Sequence, residues 1–214
     1  MRRTLMLAAV LMAATAPSFA ADAVVLKVSG PVFVRPAGAR ADIPARGGEE
    51  LIFGDAVKTG AGAVAQVSLG ERGAVLIREN STFTLEGDPQ STVLDFPLGE
   101  FLIGLRRKLE KGQLFRVRTP AAIAAVRGTL FWGKTDADKT TTYAGFGQSI
   151  LVTAKGRVVV VNAGETTTIP FGGAPLPATK HKIPEAYLDN FKVGGSLQGL
   201  EALIEPPASG KPKK

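Results

Sequence analysis

Val117–Trp132 reads VRTPAAIAAVRGTLFW, and the fold class turns on how this stretch is parsed. Leu114–Thr119 alternates, with Phe115, Val117 and Thr119 on one face and Arg116 and Arg118 on the other, which is the period of a half-buried strand. Pro120 has no N–H to give a ladder and ends that strand. Ala121–Val126 is small or aliphatic and suits a tightly packed segment. Arg127-Gly128-Thr129 follows, and the bulky run Leu130-Phe131-Trp132 opens another strand.

The same punctuation extends in both directions. From Val24 to Ile169, short alternating runs are separated by Gly, Pro, Asn or Asp about every ten residues, with no long helical period between them. Candidate strands include Val24–Val28, Val32–Arg35, Ala56–Thr59, Ala63–Leu69, Gly73–Ile77, Thr82–Leu85, Val93–Leu98, Glu100–Ile103, Ile150–Thr153 and Arg157–Val161. The 25 glycines serve the many tight turns. This pattern predicts an all-β fold, a compact roll or sandwich or a solenoid-like winding of short strands. In Val64–Leu69, Ala65, Val67 and Leu69 take one face and Gln66 and Ser68 the other, so the second face is expected to be wet.

The expected β domain spans 21–172. Gly172-Gly173-Ala174-Pro175-Leu176-Pro177 changes the composition, and 173–183 reads as a linker. Short helices are expected within 184–204, the first with Pro184 leading Tyr187, Leu188 and Phe191, the second capped by Ser196 and carrying Leu197, Leu200, Leu203 and Ile204. The Pro- and Lys-rich 205–214 predicts a disordered basic tail. On this reading the strands close their own core, and deleting Pro175–Lys214 leaves a cooperative unfolding transition.

Met1–Ala20 carries Arg2-Arg3, an apolar core from Leu5 to Ala16 and a small-residue close at Pro17-Ser18-Phe19-Ala20, the make-up of a secretory signal peptide cleaved near Ala20-Ala21. The apolar run is short for a membrane span and no second one follows, so the mature chain is expected to be periplasmic or secreted, without a transmembrane segment. Cleavage removes two cations from a formal charge of +7. The chain has no cysteine, so stability rests on the core and not on disulfides.

No catalytic pattern emerges. The single histidine, His181, lies between Lys180 and Lys182 in a Pro-flanked connection and reads as a solvated loop residue. Without cysteine, with one histidine and with no HExxH, no metal site or cofactor is expected. No G-x-S-x-G or phosphate-loop spacing occurs. The densest basic cluster, Arg106-Arg107-Lys108, lacks interleaved aromatics, which with export argues against nucleic acid and leaves an envelope partner or an anionic envelope polymer. Arg127, among alanines, reads as a guanidinium that donates to backbone carbonyls, with an anionic ligand as the alternative. Trp132 reads as core unless exposed, in which case it becomes a ligand platform.

The order Thr119-Pro120, Val126-Arg127-Gly128-Thr129 resembles the TP…VRGT signature of the FecR domain. Gly54-Asp55-Ala56-Val57-Lys58-Thr59-Gly60 resembles an upstream element of that family, and Gly156-Arg157-Val158-Val159-Val160 with Ala163-Gly164-Glu165 resembles its close. The family is best known from iron-transport regulators of the bacterial envelope, so the resemblance implies a non-enzymatic binding or scaffold module, partnered by another envelope protein. Peptidoglycan or carbohydrate binding and iron-transport-type surface signalling are the alternatives. A leader at Met1 stands where classical regulators carry a cytoplasmic segment and a membrane helix, which counts against direct sigma-factor control. The signature residues Thr119, Pro120, Val126, Arg127, Gly128 and Thr129 are expected to be structural, and Trp132, Arg106, Arg107 and Lys108 are the candidates for partner contact.

Overall fold

The computed structural model describes residues 21–106, 109–126 and 128–204. Alternating, turn-punctuated sequence becomes a succession of short strands: β1 Ala23–Ser29, β2 Val32–Arg35, β3 Ile43–Pro44, β4 Glu50–Leu51, β5 Ala56–Thr59, β6 Val64–Ser68, β7 Gly73–Ile77, β8 Thr82–Gly87, β9 Ser91–Leu105, β10 Leu114–Arg118, β11 Ile123–Ala125, β12 Leu130–Thr135, β13 Thr141–Gly145, β14 Ile150–Ala154, β15 Arg157–Val161, β16 Glu165–Ile169 and β17 Thr179–Lys180. Their pairing gives a first sheet ordered β4-β1-β6-β7-β9-β12-β13-β16-β17. A second is ordered β3-β2-β5-β8-β9-β10-β11-β14-β15. Among the described residues every strand pairing is antiparallel except β9 with β10, and one isolated parallel bridge joins Gly145 to Ala163. The fold is thus an all-β sandwich whose two sheets share one strand.

That shared strand is where the sequence is most easily misread. Val93–Leu98 and Glu100–Ile103, separated at Gly99, are one continuous strand, β9. Its first half pairs in the second sheet and its second half in the first. Thr82 faces Leu98 and Thr84 faces Asp95, so three steps on β9 oppose two on β8. This bulge accommodates Pro97 and bends the strand between sheets. At the bend Gly99 has φ 108°, and a Cβ there would lie 2.3 Å from Ser81 Cα. Only glycine lets β9 pass Ser81 this closely.

Between the sheets lies an aromatic column. Phe83 and Phe96 have ring centroids 5.4 Å apart, Phe96 and Phe101 4.1 Å, and Phe101 meets Phe131 and Tyr143 edge-on at 6.2 and 6.3 Å. All are buried, with Val25, Val57, Val75, Leu94, Val117 and Val152 packed around them.

A second apolar cluster lies on the outer face of the first sheet, and the C-terminal segment makes it. Leu188, Phe191, Leu197 and Leu200 pack on Ala74, Leu76, Leu102, Leu130, Trp132 and Ala144. The segment contains two 3-10 turns, Glu185–Phe191 and Leu200–Leu203. Side chains three apart eclipse in such turns, which sets Leu188 and Phe191 on one side. Two expectations change here. Residues 173–183, read as a linker, include β17, which pairs Thr179 with Thr166 and Lys180 with Glu165. The face of Gln66, read as wet, is covered: Gln66 is wholly buried. Its amide nitrogen donates to the Phe191 carbonyl at 2.9 Å and the Ser196 carbonyl at 2.7 Å, and its Oε1 accepts from Gln198 Nε2 at 2.7 Å. The alternation identified the face correctly but carried no information about what lies on it.

His181 is likewise engaged and not a solvated loop residue. Its Nε2 lies 3.1 Å from the Gly145 carbonyl, its Nδ1 accepts the Ile183 amide at 3.2 Å, and its ring sits 4.8 Å from that of Phe146. With Nδ1 accepting, Nε2 is the ring nitrogen left to donate to the Gly145 carbonyl.

Under the C-terminal segment sits a charged residue, Glu100, almost wholly buried. Its Oε1 accepts from Trp132 Nε1 at 2.7 Å and from the Tyr187 hydroxyl at 2.8 Å, while Oε2 faces Arg78 at 3.3 Å. Burial, and then the bond to Glu100, raise the Tyr187 phenol above its usual value of 10.0. The folded state therefore holds this proton more tightly than the unfolded chain. The resulting stability is present below pH 10 and is lost as pH rises through the folded value. The expected outcome is alkaline loosening of the segment, seen as a red shift of Trp132, the chain's one tryptophan. In Tyr187→Phe that red shift should no longer follow phenol ionisation.

Candidate protein-docking face

The signature stretch is built into the seam between the sheets. After β10, Thr119 and Ala122 close a tight turn over Pro120: the Thr119 amide donates to the Ala122 carbonyl at 2.9 Å, and the Ala122 amide donates to Thr119 Oγ1 at 3.2 Å. Thr119 Oγ1 also accepts from Thr141 at 3.1 Å and from Tyr143 at 3.3 Å, hydroxyls of the opposite sheet. Burial pushes the Tyr143 phenol far above its ordinary value. Val126 is buried and its amide donates to the Phe115 carbonyl at 3.1 Å. Gly128 has φ 80°, and the hydroxyl of buried Thr129 donates to the Gln148 carbonyl. Arg127 lies outside the described residues.

Of the candidates for partner contact, Trp132 and Arg106 are both engaged by the C-terminal segment. Trp132 is 6% exposed, capped by the C-terminal segment with the Tyr187 ring edge-on at 6.5 Å. The reading of Trp132 as a contact platform is corrected accordingly: the indole is apolar core with its N–H satisfied by Glu100. Arg106 is exposed, but its guanidinium donates to the Gln198 carbonyl and ties down the C-terminal segment. Arg107 and Lys108 lie outside the described residues.

The second sheet carries what the sequence reading missed. Because side chains alternate, the strands that bury Val117, Ala124 and Val152 inward send their neighbours outward. In register across β15, β14 and β11, Val160 faces Leu151 and Leu151 faces Ala125; Val158 faces Thr153 and Thr153 faces Ile123. Ile123 is 44% exposed, Leu151 43%, Val158 59% and Val160 46%. The rows continue onto β10 at Arg116 and Arg118. Arg118 donates to Asp95 at 2.7 Å and to Glu86 at 2.6 Å, and the Asp95 bond foremost raises its pKa. Arg116 has no carboxylate partner among the described residues. An aliphatic surface bordered by an arginine is thereby offered to solvent. Its signal in the sequence is Val158–Val161, a run with no alternation and hence apolar on both faces.

The molecule is thus a two-sheet β module with one outer face covered by its own C-terminal segment and the other left exposed by the described residues. Residues 55–164 match the family model described as FecR protein. The chain belongs to the FecR family. Two crystal structures of a candidate anti-sigma factor from Parabacteroides distasonis, at 2.50 and 1.65 Å resolution, share the fold: each has TM-score 0.52 and 19% identity. The likeness covers 59% of this chain and 59% of theirs. No protein of curated function matches the chain.

Proposed function

We propose that this FecR-family chain is an exported, non-enzymatic protein-binding module of the bacterial cell envelope, with the outer face of the second sheet as its docking surface. The observation that carries the reading is the group Ile123, Leu151, Val158 and Val160, each more than two-fifths exposed and contiguous in register. Adjacent exposed aliphatics cost solvation unless a partner covers them, and Arg116 at their border supplies a directional contact of the kind enriched at interfaces. The tryptophan and tyrosine platforms usual for carbohydrate or peptidoglycan binding are not free among the described residues. Trp132 and Tyr143 are buried and Tyr187 is bonded to Glu100.

Capture from periplasmic extract with the exported chain and with Leu151→Glu tests the reading. Leu151 is outward-facing, so the variant should keep its thermal midpoint, with a stability change within about 0.5 kcal/mol. Partner retention should fall by about tenfold or more. A captured set that is empty, or the same for both proteins, overturns the docking face. Intact mass of the periplasmic product should place the mature N-terminus at or near Ala21, and retention of Met1 would refute export.

A further inference from the structure

Among the described residues the two sheets have four edges, and three of them are blunted. The edge strands β3, β4 and β17 are two residues each, and β3 carries Pro44. Short edges, proline and charge are the usual guards against pairing with another chain. The fourth edge, β15, is five residues long, reads Arg-Val-Val-Val-Val, and pairs only with β14 among the described residues.

The hairpin fixes which groups this edge presents. Lys155 and Gly156 have φ 49° and 72°, the two-residue turn of a type I′ hairpin. Such a hairpin closes on a hydrogen-bonded pair, here Ala154 with Arg157. Val159 and Val161 therefore turn their amides toward β14, and Val158 and Val160 turn N–H and C=O outward. On the inner side, Val159 packs against the main core while staying only half-buried, because the sheet ends there.

Charge is arranged along the same strand. Lys155 and Arg157 stand at its start without a carboxylate partner among the described residues. Its other end carries no charge: Val161 is followed by Asn162, and the next carboxylate, Glu165, belongs to β16 and accepts from Asn162 through the amide at 3.0 Å and Nδ2 at 2.8 Å. A strand that is basic at one end and uncharged at the other keeps its cations apart when it pairs with itself antiparallel and sets them side by side when parallel.

We propose that β15 pairs antiparallel with β15 of a second copy about a two-fold axis at Val159. Val158 then exchanges both backbone bonds with Val160 of the second copy, and Val160 with its Val158, while the two Val159 side chains meet and close the open end of each core. The second sheets become continuous, and the aliphatic faces of the two copies adjoin. Pairing uses the backbone edge and leaves the outer face exposed, so it stands or falls separately from partner docking.

Light scattering on the exported full-length chain, from micromolar to sub-millimolar concentration, should show a dimer. Val158→Pro removes only an outward N–H and should be monomeric with its fold kept. In Val159→Cys the opposed residues form a non-hydrogen-bonded pair with Cβ atoms about 4.5–5.5 Å apart, near enough for oxidation to link them. The parent has no cysteine, so every disulfide formed is between copies. Arg157→Cys, opposite Val161 of the second copy, should not link to itself. A monomer at every concentration, a dimer that Val158→Pro leaves intact, or equal linking by the two cysteine variants overturns the proposal. Leu151→Glu should remain dimeric, so lost partner capture with an intact dimer would separate the two sites.

Discussion

Removing residues 173–214 should yield a chain without a cooperative unfolding transition. The deletion strips Leu188, Phe191, Leu197 and Leu200 from the outer face of the first sheet and bares Leu76, Leu102, Leu130 and Trp132. Each large apolar side chain so exposed forfeits about 1.5–3 kcal/mol. The total for the four, about 6–12 kcal/mol, rivals the whole stability of an ordinary domain, about 5–15 kcal/mol. It also leaves Gln66 and Glu100 without the bonds they make to the segment. Urea unfolding followed by circular dichroism and by Trp132 fluorescence, with dye binding as a measure of exposed apolar surface, checks this. A sharp transition at the parent's midpoint would show that the strands close their core unaided, as the Pro- and Gly-rich boundary at 172–177 suggests when read alone.

Glu100→Ala is expected to be the most damaging single substitution among the polar residues. It takes the acceptor from Trp132 Nε1 and the Tyr187 hydroxyl and leaves Arg78 facing a site from which water is excluded. Removing one partner of a buried ion pair costs about 3–5 kcal/mol, so a loss near the lower end is expected here, where Arg78 keeps some contact with solvent. Glu100→Gln retains a carbonyl acceptor for the indole and should lose about half as much. Equal losses in the two variants would mean that the charge on Glu100, and not its acceptor geometry, is what matters. A loss below about 0.5 kcal/mol in both would remove Glu100 from the account of how the C-terminal segment is held.

Strands were legible wherever one face is apolar and the other polar, as at Leu114–Thr119, because a period of two is a local property. What lies across each face was not. Gln66 and Ser68 alternate with Ala65 and Val67 in the manner of a solvated face, yet the carbonyls that Gln66 serves are more than a hundred positions away. Trp132 posed the same question, and a tertiary contact answered it. Gly99 looked like a break because glycine commonly ends a strand, whereas here it lets β9 bend past Ser81 and continue. Strands β3, β4 and β17 are too short for any period to register. The exposed aliphatic face was hidden for a related reason: Val158–Val161 declares a strand, but only the pairing order makes it the last one among the described residues.

The bonds that fasten the C-terminal segment join residues 125, 130 and 132 positions apart. Segments this distant meet late, because the chain entropy lost in closing so long a loop must be offset before any contact rewards it. Synthesis runs from the N-terminus, so Leu76, Leu102 and Trp132 exist long before Phe191 and Leu200 can cover them. The nascent chain thus keeps a greasy unfinished side until the stretch from Leu188 to Leu200 has been made. That delay lengthens the time for which chaperones can reach the uncovered face.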